Sequence, residues 1–129
     1  MVLDTSALLA LLLDEPEAEA YRAAIEEDET RLVSAATLLE TAIVIEARKG
    51  ESGGRELDLV VHKAGIVIVP VEEEHLAEAR RAYRRFGRGR HRAGLNFGDV
   101  FAYALARTAG EPLLFKGDDF SQTDVRSAV

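Results

Sequence analysis

The chain is predicted to be an α/β domain, a parallel sheet with helices on both faces. Three observations carry this. Short apolar runs alternate with longer stretches of helical periodicity along the whole chain, the pattern of strands joined by crossover helices. The run GIVIVPV, Gly65 to Val71, is β-branched and apolar on both sides, as in a covered parallel strand. Acids stand at the edges of the apolar segments, and open α/β sheets hold their ligands beyond the carboxyl ends of strands.

The elements follow in order. Met1 to Leu3 reads as a short buried strand and Thr5 to Leu13 as a helix. Asp14-Glu15-Pro16 marks a restart, with Pro16 in a first turn. Glu17 to Glu27 continues as a polar-faced helix, and Arg31 to Ser34 is a second strand. Ala36 to Lys49 is a helix closed by Gly50, followed by a loop over Glu51 to Gly54. Arg55 to Lys63 is helical up to Gly65, and GIVIVPV is the third strand. Glu72 to Phe86 is a helix, Gly87 to Gly94 an arginine-rich loop, and Phe97 to Thr108 a helix capped by Gly110. Pro112 to Phe115 is a strand, with a short final one over Asp124 to Ser127.

A chain of 129 residues fits one domain, residues 1–129, with a single core. There is no cysteine, which excludes disulfides and thiolate metal sites. The start lacks the positive region of a secretory signal, and Ala7 to Leu13 is far short of the roughly 20 apolar residues that span a bilayer. A cytoplasmic protein without membrane attachment is therefore expected. The net charge is −7, yet Arg80 to Arg92 holds seven arginines and no acid. The rest of the chain carries nine Lys+Arg against 23 Asp+Glu, a balance of −14. This is an acidic body with one basic strip.

The candidate site is built from acids beside apolar sequence: Asp4 in MVLDTSALL, Glu40 in TLLETAIVI, Asp99 in NFGDVFAYA, and Asp118-Asp119 in LLFKGDDF. A carboxylate next to a core needs compensation by a cap, an ion pair or a metal. Each acid has a bland reading. Asp4 could be an N-cap, Thr37 to Glu40 and Asn96 to Asp99 could be capping boxes, and Asp118-Asp119 could be turn residues. As a set they read differently. Glu40 interrupts an otherwise apolar helix, and Asp99 falls off the stripe Phe97, Val100, Phe101, Ala104, Leu105. Carboxylates gathered in one cleft repel each other, and a divalent cation removes that repulsion. Oxygen ligands without His or Cys suit Mg²⁺ or Mn²⁺. Glu46 reads as a structural ion-pair partner of Arg48 or Lys49. His62 and His75 read as surface residues. His91 lies in the arginine strip, where it would touch phosphate.

Arg80, Arg81, Arg84 and Arg85 recur at helical spacing, where Glu72, Glu73, Glu74 and Glu78 could balance them. No acid follows Arg88, Arg90 and Arg92 before Asp99. Arginine forks bind phosphate oxygens bidentately. A basic loop beside an acidic metal site suits phosphodiester cleavage, with water displacing the 3′ oxygen in line.

The segments MVLDTSALLALL, LLETAIVIEARKG, NFGDVFAYALA and LLFKGDDFSQTDV resemble the PIN-domain ribonucleases, and more narrowly the VapC-type toxins of toxin–antitoxin pairs. The likeness runs over nearly the whole chain. It implies a three-layer α/β/α fold with a parallel sheet of four or five strands. It implies that Asp4, Glu40, Asp99 and an acid of the GDD turn, Asp119 or Asp118, form a quartet holding Mg²⁺ or Mn²⁺, with the hydroxyls of Thr5 and Ser6 near the metal. It further implies a homodimer, a cognate antitoxin protein that covers the cleft, and structured RNA such as tRNA or ribosomal RNA as substrate. Two rival readings remain: a non-catalytic PIN-like RNA- or protein-binding scaffold, and a receiver-like signalling domain. The latter needs an acidic pair after the first strand and an aspartate after the third, which this chain lacks.

Overall fold

The computed structural model describes residues 1–129. The strands are β1 (Val2–Leu3), β2 (Leu32–Ser34), β3 (Val67–Val69) and β4 (Leu113–Leu114). All pair in parallel, in the order β3-β2-β1-β4. The helices are α1 (Thr5–Leu12), α2 (Ala18–Glu27), α3 (Ala35–Lys49), α4 (Glu51–Lys63), α5 (Glu73–Phe86) and α6 (Asp99–Ala109). The α/β/α reading holds, with four strands. No helix is long and apolar enough to cross a membrane.

Alternation along each strand sorts the core into two layers. Val2 and Leu113 turn to one face, where they pack with Ala82 and Phe86 of α5 and Tyr103 and Leu105 of α6. Leu3, Val33 and Leu114 turn to the other face, against Leu8 of α1 and Tyr21 and Ile25 of α2. A small satellite core of Leu12, Ile45 and Leu57 joins α1, α3 and α4. The chain moves from β1 outward to β2 and β3, then crosses back to β4 on the opposite side of β1. The strand order therefore reverses between β1 and β4, the place where such sheets bind ligands. Asp4 leaves β1 there, and the Lys116-to-Asp119 turn follows β4.

Four sequence expectations need correction. Glu51 to Gly54 is the first turn of α4, and the reversal is confined to Gly50, at φ 67°. Gly53 is present for close packing: a Cβ there would lie 2.9 Å from the Ile45 carbonyl oxygen of α3. β3 is an edge strand with Val67 and Ile68 largely exposed, so its composition reflects strand propensity rather than two-sided cover. The last segment makes only an isolated parallel bridge between Leu113 and Ser127. It is tied down instead by Asp124, which accepts the Tyr103 hydroxyl and pairs with Arg85 at 3.2 Å. Finally, α6 begins at Asp99, leaving Phe97 outside the helix and exposed, with its ring edge-on to Phe101.

Candidate active site

Asp4 is 3 % exposed, directly after β1 and at the N-cap of α1. The bland reading is thus half right. Its Oδ2 accepts the Ser6 amide at 3.0 Å and the Ser6 hydroxyl at 2.7 Å. Ser6 Oγ in turn accepts the Lys116 amide at 2.9 Å, which links the β1 and β4 turns. The other oxygen, Oδ1, is buried and has no partner. Burial, and secondarily the Glu40 charge, raise the Asp4 carboxyl, while the Ser6 bonds pull it down. A buried carboxylate oxygen without a donor costs free energy, and nothing in the protein supplies that donor.

Glu40 lies further into α3 than a capping position, because the helix starts at Ala35. This excludes the capping box with Thr37. The Thr5 hydroxyl donates to Glu40 Oε1 at 2.5 Å. Behind it, the fully buried Thr41 hydroxyl lies 3.2 Å from Thr5 Oγ1 and 2.9 Å from the Thr37 carbonyl oxygen. Asp99 does form a reciprocal cap with Asn96: each accepts the other's backbone amide at 3.0 Å. One Asp99 oxygen is engaged there, and the group is half-buried. Burial raises its pKa to about 6, with the charges of Asp4, Asp119 and Glu40 adding to the rise and the Asn96 amide opposing it.

Asp99 thus feels three further acids from three separate elements. Asp119, rather than its neighbour Asp118, is among the charges acting most strongly on it. Asp118 and Asp119 are both exposed at the rim. The sequence-predicted acids therefore meet at the switch point. As the side chains stand, no three of them surround one point that could seat a cation. The donor chemistry nevertheless fits a hard divalent ion: carboxylate and hydroxyl oxygens, an orphaned buried Oδ1, and acids whose charges oppose one another.

The arginine loop is folded rather than loose. Leu95 is fully buried, and its amide donates to the Phe86 carbonyl at 2.9 Å while the Arg88 amide returns to Leu95. His91 helps shape this loop: its Nδ1 accepts the Ala93 amide at 3.0 Å and its ring is edge-on to Phe86. Arg81 is paired with Glu78 on its own helix and Arg85 with Asp124 of the last segment, while Arg80 and Arg84 make no ion pair, so the helix acids balance only one of the four. Arg88, Arg90 and Arg92 are exposed and have no acid within ion-pair distance. His75 is buried, contrary to expectation. It forms a capping box with Glu72, its Nδ1 accepting the Glu72 amide. Glu46 makes no ion pair; Lys49 reaches Glu56 instead, at 3.4 Å.

A family model described as PIN domain matches residues 1–126. The chain belongs to the PIN-domain family. Ribonuclease VapC30 of Mycobacterium tuberculosis is 60% identical over 129 residues, covering 100% of this chain and 98% of that protein. Ribonuclease VapC of Mycolicibacterium smegmatis is 59% identical over 125 residues, 97% of each chain. Among solved structures, Mycobacterium tuberculosis VapC20, described as a Sarcin-Ricin loop cleaving toxin, superposes with TM-score 0.78 over 96% of this chain and 95% of that one. Its identity is 16%, so that likeness speaks to the PIN fold alone. Within the family this PIN domain is of the VapC type.

Sequence reasoning places Thr5 and Ser6 at the site but misses which acids they hold, and it misses Thr41. The Ser6 and Thr5 hydroxyls, expected near the metal, donate in this PIN domain to Asp4 and Glu40 respectively. Thr41 had a usable signal. It sits one turn after Thr37 on the buried side of α3, beside Glu40 in sequence.

Proposed function

We propose that this chain is a divalent-cation-dependent endoribonuclease that cleaves structured RNA and acts as the toxin of a toxin–antitoxin pair. The single observation that carries the cation is the buried, unpartnered Oδ1 of Asp4, an acid whose charge acts on Asp99 together with those of Glu40 and Asp119. The ribonuclease names of full-length relatives at about 60% identity support RNA as the substrate. Ribosomal RNA and tRNA are the two structured-RNA target classes proposed. A cognate antitoxin protein, a homodimer and action in the cytoplasm complete the proposal.

Asp4, Asp99, Glu40 and Asp119 would hold Mg²⁺ or Mn²⁺. When bound, the cation neutralises the acid cluster, lowers the pKa of water and stabilises charge on phosphate oxygens. The chain's own residues do the rest. Ser6 holds Asp4 by one oxygen and leaves the other free. Thr5 holds Glu40, which orients the attacking water and takes its proton. The water oxygen bonds to phosphorus as the bond to the 3′ oxygen breaks. Arg88, Arg90 and Arg92 grip neighbouring phosphates.

The test is incubation of the purified protein with ribosomal RNA and tRNA, with Mg²⁺ or Mn²⁺ and with EDTA. Cleavage in the first case and none in the second is expected. RNA binding without cleavage under every metal condition would leave the scaffold reading in its place. The arginines have their own signature. Replacing Arg88, Arg90 and Arg92 together by glutamine should raise KM with kcat little changed. It should also flatten the slope of log affinity against log salt by roughly 2–3, since each phosphate contact contributes about 0.7–0.9. An unchanged salt slope would remove these residues from the RNA track.

A further inference from the structure

Gly98 precedes Asp99 at the start of α6, with φ −68° and ψ −40°. That is ordinary right-handed helical backbone, open to any residue, so no turn geometry requires glycine. The backbone at this position therefore does not by itself select against a side chain. The reason for glycine lies across the cleft. A Cβ at position 98 would stand 2.6 Å from Cδ of Glu40 and 2.8 Å from its Oε1, and closer still to Oε2. These are overlaps. The Glu40 carboxylate occupies the space that a Cβ at position 98 would fill, with the Thr5 hydroxyl on its Oε1.

We propose that Gly98 is a positioning residue: its missing side chain forms one wall of a slot that keeps the Glu40 carboxylate on Thr5, in line with the other acids. The inference rests on the nuclease reading of Glu40 for its functional part, but its geometric part stands alone. The clash falls on the far end of a flexible side chain, so the fold survives it. In Gly98→Ala, Glu40 swings out of the slot and gives up the Thr5 bond. The chain stays folded, and the acid set loses one member.

The experiment has a structural and a kinetic arm. A crystal structure of metal-free Gly98→Ala should show the Glu40 carboxylate away from Thr5 Oγ1, in an otherwise unchanged fold. A carboxylate still bonded to Thr5 would overturn the proposal. Kinetically, kcat for RNA should fall about a hundredfold, the scale set by misplacing a reacting group by an ångström or so, while KM stays nearly constant. Glu40→Asp draws the carboxylate back by one methylene. Gly98→Ala should therefore cost much less on the Glu40→Asp background than on the parent, and equal costs on both would count against the slot. If Glu40→Ala cleaves RNA as fast as the parent, the nuclease role of Glu40 falls, and the displacement in the crystal remains the judge of the slot.

Discussion

Asp99→Asn should abolish RNA cleavage and, in the same protein, raise the melting temperature of the metal-free form at pH 7.5. The two effects have one cause. Burial, reinforced by Asp4, Asp119 and Glu40, lifts the Asp99 carboxyl to about 6 from an ordinary value of 3.8. A raised folded-state pKa means that folding favours the protonated form. The associated stability is fully present below pH 3.8, declines as pH rises, and is gone above about pH 6. At pH 7.5 the ionised side chain is a liability that the asparagine lacks. Asparagine keeps the acceptor that caps the Asn96 amide, so the reciprocal bond survives. At 1.36 kcal/mol per pKa unit the shift would amount to about 3 kcal/mol. Asp99 is only half-buried, and solvent screening reduces this to about 1–2 kcal/mol. For a domain of this size that is roughly 3–10 °C. Thermal melts at pH 4.5 and 7.5 in EDTA decide the matter. The gain should be largest at pH 7.5 and clearly smaller, though not absent, at pH 4.5, which lies between the two pKa values. A variant that melts lower than the parent at pH 7.5 would show that the acids are not crowded.

The order of elements was legible because it is written in local pattern, and so were the acids proposed as a quartet, which the sequence marks at the edges of apolar runs. Strand runs, helical spacing and acids at their edges can be read without knowing what packs on what. What escaped needed tertiary partners. GIVIVPV reads as a covered strand, yet β3 has a neighbour on one side only, and composition does not say which strand is last in the sheet. Gly53-Gly54 reads as a turn, yet Gly53 serves the close approach of α3 to α4. Capping boxes look alike in sequence: Asn96 and Asp99 form one, while Thr37 and Glu40 do not, because Ser34 begins the helix earlier. His75 looks solvated among glutamates, yet it is buried because its ring closes the box with Glu72. The role of Gly98 was hidden for the same reason. Its backbone is unexceptional, and only the Glu40 side chain from another helix explains it.

Asp4→Asn and Ser6→Ala separate the charge of the first acid from its scaffolding. In Asp4→Asn the side-chain carbonyl can still accept the Ser6 amide at the cap of α1, so this variant should fold as well as the parent. It also removes a buried charge that desolvation already disfavours. What it loses is the anionic Oδ1. In the parent, Mn²⁺ at about a hundred times its dissociation constant should stabilise the fold by about 2.7 kcal/mol, or roughly 10 °C. Asp4→Asn should show little of this shift. Its cleavage should fall by more than the roughly 10- to 100-fold typical of residues that merely support a metal ligand. Ser6→Ala should behave in the opposite way. It keeps the charge but strands the Lys116 amide and one Asp4 bond, at a cost of about 1–3 kcal/mol for a buried group left without a partner. Its melting temperature should drop while most of the Mn²⁺ shift remains. Calorimetric melts of the three proteins with and without Mn²⁺ read both quantities at once. If Asp4→Asn kept the full Mn²⁺ shift, the orphaned oxygen would not be where the cation binds, and the site would have to be sought elsewhere in the fold.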